Sequence, residues 1–350
     1  MNYTPVSNRL RIDWLDTAKG MGIVLVVIGH ATDTTISRWV YLFHMPLFFM
    51  IAGILFRPMP LGELIMRRGR TLLIPYFSFL ICLETIFCLS HLHDQQWSGF
   101  TASVDRAVYG GSRLDGDFGT FWFLTCLFFA LLSYNLLRKV GEGPLAMPVV
   151  AAVMAVTGGA YLIEHTNWPE DISVVPMAIF FLWAGEVWAT LQLSSRSEAA
   201  TGPAVRRVLF WPSVGLAVLG AILLRPLDMK QADYGIPVLS LLIALAYCHL
   251  TLLLCRKMGS LGRLGRFWSA LGAASLCIML LHRMIILHLA GRLSWRIVTV
   301  VATAIPWGVY RLLQHAGPAF RFLFLGVRAE VPSAVYAHGG VATGGSKTRL

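Results

Sequence analysis

Three side chains in the first apolar run are of types that could do chemistry. The run from Trp14 to His30 reads WLDTAKGMGIVLVVIGH and contains Asp16, Lys19 and His30. Lys19 and His30 stand eleven residues apart. On a helix that is three turns plus roughly 20°, so the two share one face, about 16 Å apart along the axis. Asp16 lies three residues before Lys19, on the same side and placed to pair with it. A neutral imidazole, with its pKa near about 6.5, accepts a proton from a hydroxyl at working pH. Ionisable groups inside membrane segments are costly and face protein or water. A polar stripe running up an otherwise apolar helix therefore points to a site.

The elements that must hold this stripe are membrane helices. Mean hydropathy is +0.66, with 56% hydrophobic and 13% charged residues, which excludes an ordinary soluble domain. The pattern predicts an all-α, polytopic helical bundle of about ten transmembrane spans, at 14–31, 39–56, 71–90, 119–138, 145–163, 172–192, 208–224, 236–255, 269–290 and 295–314. Connections on the N-terminal side carry fifteen Lys and Arg against seven on the other, which predicts both termini in the cytoplasm. That asymmetry largely accounts for the net charge of +11, so no nucleic-acid partner is needed. Because the first apolar segment holds Asp16 and Lys19 and ends GHATD, it reads as a retained span, not a cleaved signal peptide.

Residues 1–325 read as one membrane-embedded domain. The stretch 326–350, rich in Gly, Ala, Ser and Thr, is expected to be a disordered cytoplasmic tail. All six cysteines fall in apolar segments or at their edges and read as packed thiols. The outer loop 91–118 contains HLHD, but two histidines two apart in a flexible loop are weak ligands, and no metal is expected. No internal repeat is visible, which argues against inverted-repeat transporters.

Orientation sorts the intramembrane polar groups by depth. His30, His44, Glu84, Trp122 and His282 fall outward; Lys19, Arg67, Arg68 and Arg70 fall inward. Each group also has a plainer reading. His44 and Trp122 suit interfacial anchors and the arginines suit the positive-inside signal, while Glu84 could pair structurally with Arg283 or a histidine.

RIDWLDTAKGMGIVLVVIGH, FHMPLFFMIAG, RRGRTLLIPY, FWFL and LGAASLCIMLLH follow one another in this order. Through them the chain resembles the membrane-bound acyltransferase 3 family, most nearly its fucose O-acetyltransferase-like branch. The resemblance covers residues 9–135 well and the ninth span loosely; spans 5 to 8 match only in being hydrophobic. It implies an enzyme that acylates sugars of surface polysaccharides and related substrates, mostly by O-acetylation. The family's basic residue, ten intervening positions and histidine fall on Lys19 and His30, and its Arg-x-x-Arg motif falls on Arg67-Arg68-Gly69-Arg70.

By that resemblance His30 is the catalytic residue, and Lys19, Arg67 and Arg70, with Arg68 between them, serve the acyl-coenzyme A. Lys19 stands where the pattern has Arg, which loses the planar bidentate fork. With no esterase-like extracytoplasmic domain in these residues, the membrane domain is expected to complete the acylation.

The expected co-substrate is acetyl-CoA, made in the cytoplasm, its phosphates held by charge-assisted hydrogen bonds from the arginines. Arg67 and Arg70, at (i, i+3), would face one way on a helix beginning there. The thioester would pass Lys19 to reach His30 as general base, with a transient acetyl-His30 as the other route. Asp16, His44, Glu84, Trp122 and His282 would orient His30 or line the acceptor pocket. The remaining partners are a polysaccharide or lipid-linked sugar acceptor and the lipids of a bacterial inner membrane, with no metal and no nucleic acid. The competing readings are a transporter or flippase for a sugar or lipid-linked sugar, a succinyl transferase, and an inactive structural relative.

Overall fold

The computed structural model describes residues 7–93, 101, 105, 109–166, 168–193 and 202–327. Residues 328–350 of the expected tail 326–350, and Asp94 of the HLHD stretch, lie outside the described residues. Within them the chain is all-helical, and its β pairing is one isolated bridge between Asp228 and Asp233. Among the described residues, six stretches are long and apolar enough to cross a membrane: Thr35–Ile54, Leu61–Phe87, Gly116–Val140, Pro169–Gln192, Leu239–Gly259 and Trp295–His315. The bent pair Gly262–Ala273 and Ser275–Leu289 would make a seventh. Met147–Leu162 and Val208–Leu223 are apolar but shorter. Large apolar side chains such as Ile81, Trp211, Ile222, Val300 and Leu312 are exposed, as a surface facing lipid requires. Cys126, Cys248, Cys255 and Cys277 are buried free thiols. Cys82, expected to be packed, is instead exposed, because it shares the outward face that also presents Ile81.

The first helix, α1 (Ser7–Ala31), ends with the sequence GHATD. The chain then turns back through α2 (Thr35–Val40), which Thr34 caps by accepting the Ile36 N–H, into α3 (His44–Ile54). The Ser37 hydroxyl donates to the Gly29 carbonyl at 2.8 Å and pins this return. His30, near the end of α1, and His44, at the start of α3, are thereby brought to the same level.

Next come α4 (Leu61–Arg68), a π-helical turn (Gly69–Leu73) and α5 (Ile74–His93). α6 (Trp122–Leu137), α7 (Met147–Leu162), α8 (Val175–Leu193), α9 (Gly202–Leu223) and α10 (Leu239–Gly259) follow. The chain closes with α11 (Gly262–Ala273), α12 (Ser275–Leu289), α13 (Trp295–His315) and α14 (Pro318–Leu325).

Two crossings set the frame, and both rest on glycine pairs. A Cβ on Gly20 of α1 would lie 2.0 Å from the Trp268 carbonyl oxygen of α11, and one on Gly272 would lie 1.8 Å from the Asp16 oxygen. α3 and α8 meet in the same reciprocal way: Gly53 against Leu182, at 2.0 Å, and Gly185 against Met50, at 2.1 Å. Without a hydrophobic driving force between helices in lipid, such close backbone approach supplies the packing energy.

The ninth expected span, 269–290, is corrected. The chain bends by 72° between α11 and α12 rather than running straight. The break falls in Gly272-Ala273-Ala274-Ser275, a small-residue stretch of the kind at which helices kink. Gly272 is held against α1 there, and Ala274 leaves helical geometry with φ −90° and ψ 1°. α11 thus packs on the Asp16 end of α1 while α12 swings across to the His30 end.

Candidate active site

His30, His44 and His282, from α1, α3 and α12, meet. The His30 ring centroid lies 5.2 Å from that of His282 and 6.3 Å from that of His44. Tyr41 joins them, 4.7 Å from His44 and 5.7 Å from His30. In each histidine Nδ1 contacts the carbonyl oxygen four residues earlier: Val26 at 2.9 Å, Val40 at 3.1 Å and Ile278 at 2.7 Å. A carbonyl can only accept, so Nδ1 carries the proton in all three rings, and each neutral ring keeps its Nε2 lone pair free. His282 is fully buried, and His44 is only 4% exposed. His30 is half-buried and is therefore the most open of the three to a substrate.

A cavity of about 220 Å³ opens onto His30 and His44. Its polar lining also includes Trp122, Tyr41, Arg283, Asp228, Gln231, Asp115, Thr120 and Lys230, with Met279 in its wall. Asp228 belongs to the loop after α9. It accepts the N–H groups of Lys230 and Gln231 at 3.1 and 3.3 Å, and burial pushes its carboxyl above the usual aspartate range. Trp122 is 4% exposed. Lys230 donates to the Leu114 carbonyl at 3.0 Å and to Asp115 at 2.8 Å, which ties this loop to the segment before α6.

A second cavity, of about 270 Å³, is lined by Lys19, Arg68, Thr71 and Ser275 among apolar groups, and again by Met279. Lys19 forms its ion pair with Asp16 at 2.7 Å. Met279, 3% exposed, is thus a shared wall between a cationic cavity and a histidine cavity. Thr120 donates to the Met279 carbonyl at 2.7 Å and holds its backbone.

The arginine motif departs from the expected geometry. The π turn begins immediately after Arg68, and its wider hydrogen-bonded ring breaks the α-helical register. Arg67 and Arg70 consequently do not share an environment: Arg67 is exposed, whereas Arg68 and Arg70 are half-buried. Of the three, Arg68 lines the cationic cavity. Arg68 and Arg70 each bury Nε with no hydrogen-bond partner among the described residues. Glu84, buried on α5, lines neither cavity.

Sequence reasoning missed Tyr41, Met279, Asp228 and Gln231. Arg283 was considered only as a partner for Glu84, although its place beside His282 was a usable signal. For a metal, Glu164, His165 and Asp233 place one ligand atom each within 4.8 Å of one another. However, Glu164 accepts the Tyr234 N–H at 2.9 Å and Asp233 pairs with Arg225 at 3.6 Å, so two of the three already have protein partners.

An apolar-surfaced helical bundle whose histidine cavity backs onto a cationic one defines a membrane protein with a buried polar site. The chain belongs to the acyltransferase 3 family: the family model described as "Acyltransferase domain" matches residues 12–311. That match takes in spans 5 to 8, where the sequence resemblance rested on hydrophobicity alone. Nodulation protein NolL of Sinorhizobium fredii (strain NBRC 101917 / NGR234) is 32% identical over 149 aligned residues, covering 35% of this chain and 37% of that protein. The aligned part thus spans little more than a third of the relative's length. No solved structure matches.

Proposed function

We propose that the protein is a ten-span membrane O-acyltransferase, with both termini in the cytoplasm of a bacterial cell and the arginine-bearing face turned inward. It moves an acetyl group from cytoplasmic acetyl-CoA to a hydroxyl of a surface-polysaccharide or lipid-linked sugar. One observation carries this reading: a cavity with Lys19 and Arg68 and a cavity with His30 share Met279 as their wall. A phosphate-bearing donor fits the first and a hydroxyl acceptor the second, and the thioester meets the acceptor where the two adjoin. Family membership supports the reaction class.

His30 is the general base. The hydroxyl proton passes to His30 Nε2 as the oxygen attacks the thioester carbonyl. As the carbon–sulfur bond breaks, the thiolate takes that proton from the imidazolium and leaves as coenzyme A. Placing Nδ1–H on the Val26 carbonyl holds the ring in the tautomer this step requires. His44 and Tyr41 fix its position, His282 backs it, and Trp122 offers an aromatic face to a sugar ring. Asp228 and Gln231 offer hydrogen-bonding groups to the sugar hydroxyls.

Vesicles containing the protein are supplied with acetyl-labelled acetyl-CoA and a lipid-linked glycan extract of the producing cell. Base-labile label is expected in the glycan, with intersecting lines when donor and acceptor are varied. Parallel lines would replace direct transfer by an acetyl-His30 intermediate. Glycan that crosses the vesicle membrane without acquiring label would indicate a carrier and overturn the reading.

A further inference from the structure

A third cavity, of about 330 Å³, lies beyond Leu276 from the cationic one, and Leu276 lines both. Its polar lining is Arg321 from α14 with Tyr310 and Gln314 from α13. Leu276, Met279 and Arg283 fall on one face of α12 at helical spacing, so that face borders three cavities in a row. Arg321 was not singled out by the sequence, since it follows the last span.

Arg321 buries its Nε with no hydrogen-bond partner among the described residues, as Arg68 and Arg70 do. The end of α14 sits directly on the π turn bearing Arg70. Gly326, at φ +65°, comes so near that an added Cβ would lie 2.6 Å from the Arg70 carbonyl oxygen. Neither the third cavity nor the cationic one has a carboxylate among its lining residues. Gln314 donates to the Tyr310 oxygen at 2.9 Å, which leaves the phenol proton free for a ligand. Guanidinium N–H groups buried without acceptors are costly, and an anion in the cavity that Arg321 lines would remove that cost there, as one in the cavity that Arg68 lines would for Arg68.

We propose that the cavity of Arg321, Tyr310 and Gln314 is a second anion subsite of the donor, binding the nucleotide end of the acyl-coenzyme A by its 3′-phosphate. Arg68 and Lys19 then hold the diphosphate and the start of the pantetheine arm, nearer the thioester. The proposal rests on the acyltransferase reading above.

Binding of coenzyme A and of 3′-dephospho-coenzyme A to the purified full-length protein in detergent tests it, by calorimetry. The wild type is expected to bind coenzyme A about tenfold or more tightly than the dephospho form, the worth of one charge-assisted hydrogen bond. Arg321→Gln is expected to bind both alike, at the affinity the wild type shows for the dephospho form, with Arg321→Lys in between. A wild type that does not distinguish the two ligands overturns the subsite while leaving the acyltransferase reading intact. So does an Arg321→Gln variant that keeps the wild-type preference, or one that weakens both ligands equally. A wild type that binds neither overturns the acyltransferase reading as well.

Discussion

Met279 is where the proposed route of the acyl group can be tested by size. Its side chain is 3% exposed and separates cavities of about 270 and 220 Å³. Its backbone is anchored by Thr120, so Met279→Ala removes the thioether arm and leaves the helix in place. The space released lies where the acyl chain would sit. Each additional buried methylene is worth about 0.8 kcal/mol, or about fourfold in kcat/KM. Butyryl has two more methylenes than acetyl, so its kcat/KM relative to acetyl should rise about fifteenfold in the variant. Met279→Phe fills the same space and should depress transfer of every acyl group.

Core Met→Ala changes cost about 2–5 kcal/mol of stability; with cavities already on both sides, the low end is expected. The assay is competition between acetyl- and butyryl-coenzyme A in membranes, at equal amounts of folded protein judged by gel filtration. A butyryl-to-acetyl ratio within about twofold of wild type, in a folded Met279→Ala protein, would refute the passage of the acyl group at this wall.

The remaining outcomes follow from the same geometry. His30→Gln should lower kcat by about 10²–10⁴, the usual worth of a general base, with donor affinity kept; single-turnover transfer measures it, and a loss under about tenfold would remove His30 from the chemistry. Gly53→Ala puts a methyl group against the Leu182 carbonyl, and overpacking of this kind costs about 1–3 kcal/mol; an unchanged thermal midpoint would mean the α3–α8 crossing yields freely. Arg138 and Glu186, 7% and 13% exposed, pair through contacts of 2.9 and 3.2 Å, with Tyr134 donating to the same carboxylate. Glu186→Gln should therefore cost about 3–5 kcal/mol, and the double variant Arg138→Met/Glu186→Leu should recover most of it; chemical denaturation of both proteins decides.

Local spacing sufficed for the parts of the site that lie on one helix. The (i, i+3) pair of Asp16 and Lys19 forms as its spacing requires, because helical periodicity is a property of the chain itself. The same reasoning failed at Arg67 and Arg70, where a π turn interrupts the period it assumed. Glu84 was matched to the histidines by depth alone, which is one coordinate of three, and it lines neither of the two cavities.

What the sequence by itself determined is the helical membrane class, the family, and the polar stripe on α1. Hydropathy and helical period are read along the chain and need no partner. Only the tertiary structure decided that His30 meets a histidine 252 positions away, that Met279 divides two cavities, and that the end of α14 closes on the arginine turn. Those contacts depend on a bend at Ala274 and on reciprocal glycine crossings that set how closely and at what angle the helices meet. The angle comes from packing between distant segments, which no window of the sequence contains.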